Sequence, residues 1–198
     1  MFESLLPETR NILRNVVEKT GCDITLIPNE RFYLSRALIS AHLRNTNPRE
    51  FIISFNPNAK ALDYDIAHEA IRFLRFTESP LEQRYVLVSD SQTRKHAHSQ
   101  MEDDLEFIEE EYREHTREGF DYFYDGILTQ LLSIPVDFWI NKRLYDEYPE
   151  FRGELLKGLE EIFERAHPDL AEPLGQIIPP ILYRASNGMS AAFALFVS

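Results

Sequence analysis

The sequence predicts an α+β fold: a small β-sheet at the N-terminal end, packed on one largely buried helix, then a mostly helical C-terminal half. Three observations lead there. The clearest β-prone runs, "CDITLIP" and "FIISFNP", fall before residue 60. A helix that is apolar around more than half its surface follows at 64–76. From about residue 101 onward helical periodicity dominates. No Pro- or Gly-rich linker interrupts the 198 residues. One domain over 1–198 is therefore expected, with an α/β part at 1–100 and a helical part at 101–198.

The elements follow in order. Residues 7–20 read as a helix: Pro7 opens it, Ile12, Leu13, Val16 and Val17 keep helical spacing, and Gly21 stops it. "CDITLIP" alternates like a strand. "RALISAHLR" at 36–44 reads as a second strand or a short helix. "NTNPRE" is a turn, and "FIISFNP" is the strongest strand. "NAKALD" loops into the 64–76 helix, which "TESP" ends near Pro80. "RYVLVSD" is ambiguous between strand and buried helix, and "SQTRKHAHSQ" is polar enough to be a loop. Helices are then expected at 101–132, 135–148, 151–167 and 175–195, the last broken at Pro179-Pro180.

Composition narrows the function. Hydrophobic residues make up 43% and aromatics 12%, enough for a sizeable core. Net charge is −12, whereas a nucleic-acid footprint is basic, so nucleic acid is not expected as a partner. No apolar run approaches the ~20 residues that span a bilayer, and the N-terminal stretch is amphipathic rather than a signal peptide. No membrane association is expected, and the location predicted is cytoplasmic. The single thiol, Cys22, can form neither an internal disulfide nor a cysteine-rich metal site, and reads as a buried structural residue.

The chemistry concentrates in "ALDYDIAHEAIRFLRF", residues 61–76. Advancing about 100° per residue, apolar side chains run from Phe76 through Phe73, Ile66, Ala70, Leu74 and Ala67 to Ile71. Arg75, His68, Arg72 and Glu69 fill the narrow remaining stripe. His68 and Arg72 stand one turn apart on the same face. One reading makes this stripe the wet side of the helix. Glu69 fits that reading poorly, because it lies at the apolar border, where a carboxylate needs a partner, water or a metal.

A second helix, in "SIPVDFWINKRLYDEYPEFR", sets Asp137 and Asn141 in the middle of its apolar face, one turn apart. Lys142, Arg143, Asp146 and Glu147 take the other side. Inward polar groups must be satisfied by something. Asp137 also suits a helix cap after Pro135, with Ser133 competing for that role. Capping leaves Asn141 unexplained.

"FIISFNP…DYDIAHEAIRFLRF" resembles the zincin metallopeptidases: an edge-like strand, a loop, then a helix carrying His-Glu-x-x-His. The resemblance makes His68 the first zinc ligand and Glu69 the general base that polarises water. Arg72 stands where the second His belongs, and a guanidinium has no lone pair to give a metal. Asp137-x-x-x-Asn141 is similar to the Glu-x-x-x-Asp of the gluzincin branch, where the Glu is a ligand and the Asp supports a ligand. Both residues are altered here. Together these imply a zincin-like domain of the minimal gluzincin type with a degenerate site, covering about residues 50–150. Arg72 would then pair with Asp137, with Asn141 in support.

Other histidines are candidate replacement ligands. His96 and His98 lie two apart in a segment read as an exposed loop. His115 reads as a core residue on an inner line with Leu105, Ile108, Tyr112, Gly119 and Tyr122. Three functions remain. The favoured one is an inactive metallopeptidase homologue without cofactor that binds a peptide or protein. The second is an active hydrolase holding zinc through His68, Asp137 and an unconventional ligand, with Glu69 as base. The third is a helical interaction protein with an accidental His-Glu pair.

Overall fold

The computed structural model of the chain describes residues 2–30, 49–80, 89–169 and 178–197. It is mostly helical, with a small N-terminal sheet, an α+β architecture. Helix α1 (Pro7–Thr20) leads to strand β1 (Asp23–Pro28). Strand β2 (Glu50–Phe55) precedes helix α2 (Leu62–Glu78). Helices α3 (Ser91–Asp104), α4 (Arg113–Glu147), α5 (Arg152–Asp169) and α6 (Pro180–Val197) follow among the described residues. Among the described residues, no helix is long and apolar enough to cross a membrane. The candidate strand or helix at 36–44, most of "RYVLVSD" and the start of the 175–195 helix lie outside the described residues.

The chain divides into two compact units. The first joins residues 1–85 to 139–162; the second joins 86–138 to 163–198. Helices α4 and α5 each pass from one unit to the other.

In the first unit, α1 ends where the sequence predicts. Gly21 takes φ +67°, a left-handed conformation that costs glycine little, and its amide closes on the Val17 carbonyl. At the other end no side chain of α1 caps it. Asp63 of α2 does so from afar: its Oδ1 accepts from the Leu6 amide at 2.9 Å and from the Thr9 hydroxyl at 2.6 Å. The strands pair in parallel, Asp23 opposite Glu50 through Pro28 opposite Phe55. Ile24 and Leu26 of β1, with Phe51, Ile53 and Phe55 of β2, put alternate side chains into the core. Phe51 stacks on Phe73 of α2 at 4.1 Å between ring centroids. Cys22 is buried, as expected.

The second unit corrects three sequence expectations. "SQTRKHAHSQ" is not a loop but the body of α3. Asp90 caps it, accepting from the Thr93 amide at 2.7 Å and the Thr93 hydroxyl at 2.8 Å. The helix predicted at 101–132 is not continuous. It stops at Asp104, passes through two short 3-10 turns, and resumes at Arg113. The turns let Leu105 and Ile108 join Met101 and Phe120 in one buried cluster. Conversely, no break separates 132 from 135. Helix α4 runs through Pro135. Proline removes one backbone donor, and both Pro135 and Leu131, four residues back, lie on the exposed side, where water can replace that bond.

Candidate functional site

Helix α2 is buried nearly all round because several elements pack on it. α1 and β2 cover one side. From α4, Asn141 Oδ1 accepts from Tyr64 Oη at 3.0 Å. From α5, the backbone at Gly158 lies against the Tyr64 ring. A Cβ there would fall 2.1 Å from Tyr64 Cδ1, so only glycine permits this approach.

His68 and Glu69 lie within this buried helix, 8% and 6% exposed. The wet-side reading of the stripe therefore fails for these two. It holds for Arg75, which is exposed, and partly for Arg72, whose side chain is 30% exposed. His68 packs against the Tyr64 ring at 5.4 Å between centroids. Its Nδ1 is 3.5 Å from Glu69 Oε1, and Arg72 Nε is 3.4 Å from Glu69 Oε2. Both distances exceed an ordinary N–H···O bond, and of the two only the Arg72 approach brings a permanent charge to Glu69. Glu69 Oε2 and Asn141 Nδ2 are buried without a hydrogen-bond partner. Asn141, Tyr64, His68, Glu69 and Arg72 thus form one polar line along α2, set in apolar surroundings.

A clamp fixes the far end of the helix. Arg143 of α4 donates two bonds to the Glu78 carboxylate, at 2.7 and 2.9 Å, and a third to Glu147 at 2.9 Å. Burial opposes its charge, and the two carboxylates outweigh burial, raising the guanidinium above its ordinary range. Arg143 and Arg75 both lie over the Trp139 ring, at 5.1 and 5.7 Å. Sequence reading missed Tyr64, Gly158 and the Arg143–Glu78 pair. Tyr64 was legible as the residue four before His68; the other two are long-range.

The remaining candidates are placed as follows. Asn141 faces inward, 5% exposed. Asp137 is half-buried, one turn earlier on α4, in the second unit. It caps no helix start, since α4 runs through it. His96, His98 and His115 also belong to the second unit. His96 is exposed on α3. His98 Nε2 is 3.1 Å from Asp121 Oδ1, and its ring lies 4.6 Å from Phe120. His115 is exposed rather than in the core, and so is Tyr122. The buried line of α4 runs one residue on, through Thr116 and Phe120. Among the described residues, no group of three or more His, Cys, Asp or Glu side chains is placed to hold a metal ion.

The donor set at α2 does not suit zinc. The position one turn on from His68, where a second imidazole would be needed, carries a guanidinium, which cannot ligate. What the arrangement can do is hold a buried carboxylate against a fixed positive charge. Comparison of the chain with protein-family models, with curated proteins and with solved structures returns no match.

Proposed function

We propose that this chain is a zincin-like domain that no longer catalyses and instead binds a peptide or protein. The observation that carries the reading is the contact between Glu69 and Arg72. A general base must be free to take a proton from water. Glu69 is instead buried beside a permanent cation standing at the place of the second ligand. The meeting of α2 with α4 through Tyr64–Asn141 and Glu78–Arg143 supports the same reading, since the gluzincin arrangement needs those two helices face to face. A net charge of −12 favours a peptide or protein over nucleic acid.

Two assays test this. The protein is incubated with a pool of unstructured peptides, with and without added zinc, and products are followed by mass spectrometry. No cleavage is expected, and Glu69→Gln should change nothing. Cleavage that Glu69→Gln removes would return the protein to the hydrolases. The binding role is read by fluorescence anisotropy with labelled members of the same pool. Saturable binding is expected; its absence across the pool contradicts that role.

A further inference from the structure

A buried carboxylate is costly unless an opposite charge or several hydrogen bonds compensate it. Glu69 has few bonds to draw on, because its Oε2 accepts none. What approaches that oxygen is Arg72 Nε, at 3.4 Å. The two residues are i and i+3 on one helix, a spacing that brings side chains together without backbone adjustment. The Arg72 side chain is 30% exposed against 7% for that of Glu69, so the cation keeps part of its hydration while its charge reaches the buried oxygen. His68 is not an equivalent source of charge, since imidazole is a cation only when protonated.

We infer that Arg72 is a resident counter-ion: its guanidinium supplies at Glu69 the positive charge that a metal would supply, and closes the position to metal. It is a positioning residue, acting through Glu69. The comparison with a metal rests on the zincin-like reading of position 72; the charge compensation rests only on the geometry. Stability at α2 then depends on the sign of charge at 72, not on the shape of the side chain.

The experiment is a double-mutant cycle read by urea unfolding, on Arg72→Met, Arg72→Lys, Glu69→Gln and the pair Arg72→Met with Glu69→Gln. Arg72→Met should lower the unfolding midpoint, and Arg72→Lys should retain most of it. Adding Glu69→Gln to Arg72→Met should recover stability, with a coupling of about tenfold in the unfolding equilibrium constant. If Arg72→Met does not fold alone, the paired variant should fold. Additive losses, a paired variant as damaged as Arg72→Met, or Arg72→Lys as harmful as Arg72→Met would each overturn the inference. None of these readouts uses peptide binding or cleavage. Coupling in a protein that binds no peptide would sink the proposed role and leave the counter-ion standing; additive losses in a peptide-binding protein would do the reverse.

Discussion

Among the described residues, two clusters join the same three residue types, histidine, carboxylate and arginine, in opposite settings. In the first unit His68, Glu69 and Arg72 share one helix, and the carboxylate is 6% exposed. In the second, His98 and Arg94 of α3 meet Asp121 of α4, with Arg94 also bonded to Asp125. There the Asp121 side chain is 57% exposed. The exposed cluster has the better geometry: its bonds are 2.7–3.1 Å, against 3.4–3.5 Å in the buried one. Geometry alone would rank it first. Desolvation reverses the ranking, because solvent screens the exposed pairs while a buried charge that loses its partner has nothing to replace it. The lesson is that a chemical motif is weighed by its burial before its bond lengths.

The buried line depends on the close approach of α5 to Tyr64. Gly158→Ala drives a methyl into a fully buried ring and should cost about 2–3 kcal/mol in chemical denaturation. An unchanged midpoint would mean that α5 does not seal this face. Tyr64→Phe removes the donor to Asn141 and leaves the amide's Oδ1 without it; a loss of about 1–2 kcal/mol is expected by the same measurement. Asp63→Ala removes the remote cap of α1 and should cost about 1 kcal/mol, with hydrogen exchange speeding first at the Leu6 amide.

Asp121→Asn should have the smallest effect, with no resolvable change in melting temperature at physiological salt. Arg94, and then His98, hold the Asp121 carboxyl below its ordinary range. A carboxylate so lowered stabilises fully above about pH 4 and loses its contribution as pH falls through the lower folded value. Any difference between native and Asp121→Asn should therefore be present at neutral pH and vanish in strong acid. A large loss at neutral pH would show that the exposed cluster matters more than its solvation allows.

The fold was legible where local chemistry and packing agreed. Pro7, the apolar spacing and Gly21 marked α1, and β-branched and aromatic residues marked both strands. The α2 wheel foretold a mostly buried helix and marked Glu69 as a poor fit to its wet stripe, but gave no sign that His68 is buried too. The partners that bury Tyr64, four residues before His68, are Asn141 and the Gly158 backbone, about 75 to 95 positions away in sequence, which periodicity cannot reveal. Helix α3 was missed because polarity outweighed a readable cap at Asp90. The break at 105–112 has no Pro or Gly to announce it, and the continuity through Pro135 defies the usual signal. The misplacement of His115 followed directly: carrying one helical phase from Leu105 across that break shifts the inner line of α4 by one residue.

The most direct test of the central claim is the zinc content of the native protein, purified without chelator or affinity metal and measured by elemental analysis beside Arg72→His. A site closed by its own cation predicts no stoichiometric zinc in the native protein and uptake by the variant, where a second imidazole one turn from His68 replaces the guanidinium. Near-stoichiometric zinc in the native protein, lost on His68→Ala, would contradict the account and restore a working metal site to α2.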